Sequence, residues 1–344
     1  MLDLVGKCSC IEQLGEDSSI LLYQGKYDPH KVKISIVIPT YKRSTLLQET
    51  VNSCQPAYNH PDYEILIIFN ARNEAQGILE HIKAKGIQNV RVYENVENVG
   101  MFQNWNQGIR LSEGKWVSIM HDDDMFEPLF FEMAPAILSA VGEKTAYINF
   151  NGRIVSEEKY EQTQGKQADV LCFREVKLRD VKVLGVSPFF ATTCGTLVQR
   201  SAAVALGGFD AATYPSGDVL YPIKLINNGY QCYICHGKLN YYRCLANASL
   251  KKEVMDQFIY FYGQLQETIY KDVRGVSRLL YCRLAACLQF KSVWHVFLQA
   301  DRQGVTLDSE RPDPAISKTL KYRAMDFIQR SYWRLRPVAF KMKK

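Results

Sequence analysis

The chain lacks a glycine-rich phosphate cradle. Neither G-x-G-x-x-G nor G-x-x-x-x-G-K-[ST] follows its first β-branched run, Lys33 to Pro39. That excludes the two common turns that hold a dinucleotide or a triphosphate on backbone N–H groups. No stretch approaches the roughly 18 uninterrupted apolar residues of a membrane span. The most apolar late segment, Val276 to Ala300, is broken by Arg278, Arg283 and Lys291. A basic-then-apolar leader is missing, and Asp3 comes early, so a cytoplasmic location is expected. Acids are scarce at the other end. Between Arg311 and Lys344 two Asp stand against ten Lys or Arg, so the whole positive excess of a chain of net charge +6 lies there.

Cysteine is not scarce, but its ten copies in a chain without a leader read as reduced thiols. Cys232-Tyr233-Ile234-Cys235-His236 has haem-attachment spacing. It lies in a strand-like stretch whose alternate residues point to opposite faces, which argues against haem. Cys8 and Cys10 have no second ligand pair nearby, so zinc is not expected there either.

What is present describes a globular α/β protein: 344 residues, 47% hydrophobic and 23% charged. Four β-then-α units occupy about 100 residues. Strands are expected at Lys33 to Pro39, Glu64 to Phe69, Val90 to Tyr93 and Trp116 to Met120, with helices from Thr45, before Gly86 and from Phe102 to Leu111. This pattern implies a mostly parallel sheet flanked by helices, whose ligands bind outside the carboxyl ends of the strands. The loops after Pro39, Phe69, Tyr93 and Met120 would meet there. Further on, Thr145 to Ser156 reads as a strand and Glu157 to Asp169 as a polar insertion. A helix is expected from Asp218 to Asn228, two short strands surround Gly237-Lys238, and the chain is helical from Lys251.

The fourth of those loops holds Asp122, Asp123 and Asp124 in succession, delivered by the apolar run Trp116 to Met120. Three adjacent carboxylates repel one another in a plain turn, whereas a hard divalent cation prefers dense oxygen ligands. Without a Walker lysine, a nucleotide diphosphate would be held through that cation. Tyr41 could stack on a base, and Arg43 could meet phosphate charge.

Ile36-Val37-Ile38-Pro39-Thr40-Tyr41-Lys42-Arg43, Asn98-x-Gly100, Asn104-Trp105-Asn106-x-Gly108-Ile109, Gly114-Lys115-Trp116 and His121-Asp122-Asp123-Asp124-x-x-x-Pro128 occur in order. Gly207-Gly208-Phe209-Asp210, Asp218, Gly229-Tyr230 and Tyr242-Arg243 through Asn247 and Ser249 follow. Together these stretches, covering about Lys33 to Ser249, resemble the family 2 glycosyltransferases of GT-A fold. The resemblance implies an inverting hexosyl transfer from a nucleotide-diphosphate sugar, with a UDP-sugar ahead of other donors, to a saccharide or lipid-linked saccharide in surface polysaccharide synthesis. It places Pro39, Thr40, Tyr41, Arg43, Asn70, Asn98, Asn104 and Asp122 on the donor side. Asp123 and Asp124 fall at a bound Mg²⁺ or Mn²⁺, and Asp218 falls on the base that takes the acceptor proton. His121, Phe209, Asp210 and Arg243 fall on the acceptor or phosphate side. In the family's Asp-x-Asp register Asp123 is the first choice for the metal. Asp122 is placed beside the ribose or a metal-bound water, and Asp124 either binds metal or braces the loop. Three positions depart from the family pattern. Phe69 replaces an Asp that often contacts the base, with Asn70 next to it. Gly217 replaces the acid before Asp218, and His121 the first acid of Asp-x-Asp.

The expected domains are an extension over 1–32, a catalytic domain over 33–250 divided near 128 into donor and acceptor halves, and a helical region over 251–344. In the last, Leu320, Ala324, Phe327, Ile328, Tyr332 and Leu335 form a helical stripe among Lys and Arg, beside Trp333 and before a helix-ending Pro337. Residues 312–344 are read either as a membrane-surface helix or as a helix packed on the domain with a solvated basic rim. Nucleic-acid binding is not expected, and the sequence does not give an oligomeric state. Two other functions fit less of the pattern: a nucleotidyltransferase, and a donor-binding scaffold that has lost turnover.

Overall fold

The computed structural model describes residues 6–150, 152–155, 170–184, 193–235, 237–243, 250–270, 273–335 and 337–343. The expected insertion at Glu157 to Asp169, and His236, Asn247 and Ser249, lie outside them.

The β-branched runs become strands buried along their whole length. They are β2 (Ile34–Thr40) and β3 (Tyr63–Phe69), after an edge strand β1 (Ser19–Gln24), with β4 (Val90–Asn95) and β5 (Trp116–Ile119) following. Helices α1 (Ser44–Ser53), α2 (Gln76–Lys85) and α3 (Met101–Leu111) make the crossovers. Strands β4, β3, β2 and β5 pair in parallel in that order. The chain therefore reverses direction across the sheet between β2 and β5. At such a switch point the adjacent loops diverge and open a crevice. Gly108 lets α3 lie against β2, because a Cβ there would meet Val37 Cγ1 at 2.2 Å.

A two-residue strand, β6 (Met125–Phe126), and α4 (Leu129–Ala140) lead to β7 (Thr145–Phe150) and β8 (Arg153–Val155). Next come β9 (Val170–Val176), α5 (Leu178–Leu184), β10 (Thr196–Gln199), α6 (Arg200–Ala205), α7 (Gly217–Asn227), β11 (Gln231–Cys235) and β12 (Asn240–Arg243). The chain ends in α8 (Lys252–Tyr270), α9 (Val276–Gln303), α10 (Leu320–Leu335) and β13 (Phe340–Lys343). The ten-stranded sheet runs β1-β4-β3-β2-β5-β10-β7-β11-β9-β13, and β6-β12-β8 form a separate small sheet. The two strands around Gly237-Lys238 thus belong to different sheets. β1 and β13, from opposite ends of the chain, close the two edges of the large one. Cys232 and Cys235 enter the cores on opposite sides of the sheet, as three-residue spacing on a strand requires.

One buried ion pair fixes the start of β3. Glu64 accepts from Arg91 Nη2 at 2.7 Å, Tyr27 at 2.8 Å, Ser35 at 2.5 Å and the Glu113 backbone N–H at 2.7 Å. Removing the one cation leaves a buried carboxylate uncompensated. Arg91→Ala is therefore expected to destabilise the fold by about 3 kcal/mol, read as a lower urea midpoint at unchanged slope.

Candidate active site

The acidic loop begins where β5 ends, beside the end of β2, and its three carboxylates have different surroundings. Asp122 reaches toward β2. Its Oδ2 accepts from Thr40 Oγ1 at 2.8 Å and from the Tyr41 N–H at 3.2 Å, with Arg43 Nη1 at 3.5 Å from Oδ1. Burial pushes this carboxyl up, against the pull of Thr40 and Arg43. Asp123 pairs through Oδ2 with Arg43. Its Oδ1 has no hydrogen-bond partner among the described residues. Asp124 points into the protein and is fully buried. It accepts from the Arg243 N–H at 2.8 Å, and its other oxygen lies 3.1 Å from His121 Nδ1. The link to Arg243 exists because β12 pairs with β6, placing Tyr241 opposite Met125 immediately after the triplet. The Asp124 carbonyl accepts from Thr50 of α1 at 2.8 Å. Both Asp124 carboxylate oxygens are thus engaged by groups of the protein itself.

His121 is held on three sides. Its ring stacks on Trp105 of α3 with centroids 5.5 Å apart, Nδ1 faces Asp124, and Nε2 lies 3.1 Å from Thr193 Oγ1. Antiparallel pairing of β10 on β5 brings Thr193 and Cys194 to this end of the sheet. Burial disfavours the charged ring. The Asp124 hydrogen bond and the charges of Asp124, Asp123 and Asp218 outweigh it and raise the His121 pKa. Asp218, in the first turn of α7, thus lies within electrostatic reach of the triplet's histidine. Its Oδ1 accepts from the Val219 N–H at 2.8 Å. A helix N-terminus favours an ionised carboxylate, but here burial wins and lifts Asp218 to about 6. Tyr147 of β7 and Tyr262 of α8 also feel the Asp218 charge. Sequence reasoning did not find these two tyrosines, because nothing in the local pattern of either segment marks it as facing α7. Glu49, 2.6 Å from Arg243, was missed for the same reason.

The other expected donor-side residues divide by exposure. Tyr41 is exposed immediately after β2, with Lys42 Nζ 5.1 Å from its ring centroid. Pro39 is buried within β2. Asn70, Asn98 and Asn104 form an amide network with Asn95. Asn70 donates to Asn98 at 2.9 Å, while Asn95 donates to Asn70 at 3.1 Å and to Asn104 at 2.9 Å. Asn70 and Asn104 are buried, so their amides hold the loops after β3 and β4 together. Phe69 is a core side chain. On the neighbouring strand, Glu94 faces it in register and accepts from the Asn73 N–H at 3.0 Å.

Two residues assigned to the acceptor or phosphate side do other work. Phe209 is fully buried and stacks on Tyr221 at 4.2 Å. Asn106 brackets its backbone, accepting from the Phe209 N–H at 2.8 Å and donating to its carbonyl at 2.7 Å. Gly208, at φ +73°, makes this turn possible, since a Cβ there would meet Asn106 Oδ1 at 2.2 Å. Asp210 accepts from the Ala212 N–H at 2.9 Å and so caps the short turn that follows. The resemblance placed both on the acceptor or phosphate side; here Phe209 is packed in the core, while Asp210 is half-buried and engaged through Oδ1.

The donor set suits a hard cation. Asp123 offers an unengaged oxygen beside Asp122, and bound phosphate and water could complete an oxygen shell for Mg²⁺ or Mn²⁺. A second group, His121, Asp124 and Cys194, has ligand atoms within 4.8 Å of one another. Its nitrogen and sulfur donors suit softer ions, and the Asp124 carboxylate is already engaged by Arg243 and His121.

Residues 35–202 match the family described as glycosyl transferase family 2. An uncharacterized glycosyltransferase of Mycoplasma genitalium is 27% identical over 100 residues, covering 28% of this chain and 33% of that protein. One from Rickettsia conorii is 27% identical over 126 residues, covering 37% of this chain and 20% of that protein. The matches thus span a third or less of these relatives' length. Among solved structures, a mannosyltransferase from Pyrobaculum calidifontis in complex with GDP-Man and Mn²⁺ aligns with TM-score 0.51 and 14% identity, over 90% of this chain and 87% of that one. S. aureus TarS in complex with UDP-GlcNAc aligns with TM-score 0.50 and 14% identity, over 88% and 92%. At that identity the likeness is one of fold.

Proposed function

Because residues 35–202 match glycosyl transferase family 2 and the fold is that of GT-A glycosyltransferases, we propose that the chain is an inverting, metal-dependent transferase. It moves a hexose from a nucleotide-diphosphate donor to a hydroxyl of a lipid-linked saccharide in surface polysaccharide synthesis, at the inner face of the cell membrane. The observation that carries this reading is the acidic loop at the end of β5, where Thr40 and Arg43 from the end of β2 meet Asp122 and Asp123. Asp218 at the start of α7 adds its charge to those that raise the His121 pKa of the same loop. UDP-GlcNAc in the S. aureus neighbour and GDP-Man with Mn²⁺ in the Pyrobaculum neighbour support a nucleotide-sugar donor with a divalent ion.

In this reading Tyr41 stacks on the base, and Arg43 exchanges its carboxylate partners for phosphate oxygens. Asp123, with Asp122 beside it, would hold Mg²⁺ or Mn²⁺, which when bound neutralises charge on the departing diphosphate. Asp218 accepts the proton of the acceptor hydroxyl as its oxygen bonds to the anomeric carbon and the bond to the diphosphate breaks. A single displacement inverts the centre and needs no carboxylate nucleophile.

A panel of nucleotide sugars scored by thermal shift, with and without Mn²⁺, tests the donor half. One donor should raise the melting temperature only when the ion is present. At about 100 times its dissociation constant it would add about 2.7 kcal/mol of stability. A panel with no metal-dependent stabilisation by any donor would rule out this assignment.

A further inference from the structure

The C-terminal helix α10 packs inward through polar groups and through Tyr322, whose ring meets Phe290 edge-on at 5.2 Å. Gln329 is buried. It donates to the Val183 and Leu284 carbonyls at 3.1 and 3.4 Å and accepts from Lys291 at 2.8 Å. Tyr332 donates to Asp180 at 2.6 Å. Asp326, the helix's only acid, is turned inward to Lys291 and also pairs with Arg330 at 2.8 Å. These contacts, made to α5 and α9, fix which face looks out. Leu320, Phe327 and Leu335 on that outer face are 84%, 70% and 83% exposed, with Ala324 and Ile328 between them. At about 3.6 residues per turn, Arg323, Arg330 and Arg334 fall along one flank of the apolar stripe and Lys321 along the other. Lys318 precedes the helix. The stripe expected from sequence thus splits: Tyr332 points in and the rest point out. The side chain of Trp333 lies outside the described residues.

An ordinary surface helix buries its apolar stripe and wets its charges. Here the charges rim an exposed stripe and the one acid is withdrawn from it. That combination is complementary to an anionic surface with an apolar interior. We propose that the outer face of α10 docks on the anionic headgroups and outer acyl region of a lipid bilayer, through Leu320, Phe327, Ile328 and Leu335 with Lys321, Arg323 and Arg334 around them. Among the described residues no helix is long and apolar enough to cross a membrane, so this is a mode of lying on the surface. The proposal deepens the reading of a lipid-linked acceptor, but it is measurable without turnover.

The test is co-sedimentation of the full chain with phosphatidylcholine vesicles, with and without phosphatidylglycerol. Binding is expected to the anionic vesicles, weakening as salt rises. Lys321→Gln/Arg323→Gln/Arg334→Gln, which keeps good helix formers, should lower partitioning roughly a hundredfold, from about 1 kcal/mol for each cation. Phe327→Asp/Leu335→Asp should lower it at least about tenfold. If the parent chain stays in the supernatant with anionic vesicles, or the triple variant binds as the parent does, the proposal is wrong. It is also wrong if light scattering shows that Phe327→Asp/Leu335→Asp splits an oligomer while vesicles bind neither form, because the face is then a self-interface. Vesicle binding by a preparation that transfers no sugar supports the surface while striking the proposed reaction.

Discussion

Asp218→Asn is expected to keep metal-dependent donor binding and to lose sugar transfer by about 10²–10⁴-fold, the usual worth of a positioned general base. The amide fills the same space and can still accept from the Val219 N–H, so α7 has no reason to move. What disappears is an oxygen able to take a proton. The pH profile separates this role from a structural one. Burial lifts Asp218 to about 6, and a base works only when unprotonated. The kcat/KM of the parent enzyme should therefore be level above neutrality and fall about tenfold per pH unit well below 6. Any activity left in the asparagine variant should lack that limb. Unchanged transfer, or an acid limb that survives the substitution, would assign the base elsewhere.

The parallel half of the sheet was legible because its signals are local. β2 and β3 are β-branched runs buried on both faces, separated by helices with their own stop signals, and the resulting topology places the acidic loop at the switch point. Pro337 comes shortly after the described span of α10, Leu320–Leu335. What was not legible depends on contacts between distant segments. Phe340 to Lys343 alternates over only four residues and becomes a strand because β9, far earlier in the chain, offers an open edge. The engagement of Asp124 by Arg243 follows from β12 pairing with β6, a contact across more than a hundred residues that no spacing announces. For α10 the periodicity correctly marked a stripe but could not orient it, since the neighbouring surface on α5 and α9 presents carbonyls, Asp180 and Lys291 to the helix. Phe209 was placed on the acceptor side by the resemblance alone, and its burial rests on a tertiary bracket from Asn106 that no local pattern announces.

Asp123→Ala should lower kcat/KM roughly 10³-fold, because an ion at a departing diphosphate is worth several kcal/mol and about 4 kcal/mol converts to that factor. Mn²⁺ should no longer augment the thermal shift produced by the donor. Asp124→Ala should read out differently. It strips the Arg243 N–H and His121 of their shared acceptor in a fully buried position, leaving polar groups unpaired. Its expected signature is a stability loss of about 2 kcal/mol, with metal still augmenting donor binding in the fraction that remains folded. The two variants differ because Asp123 is engaged through Oδ2 alone among the described residues whereas both Asp124 oxygens are taken, although they are adjacent in sequence and identical in chemistry. If the signatures come out exchanged, with Asp124 carrying the metal dependence and Asp123 the stability, the ion sits deeper. The group formed by His121, Asp124 and Cys194 then becomes its site, and Arg43 rather than a metal is the natural partner of Asp123 throughout the cycle.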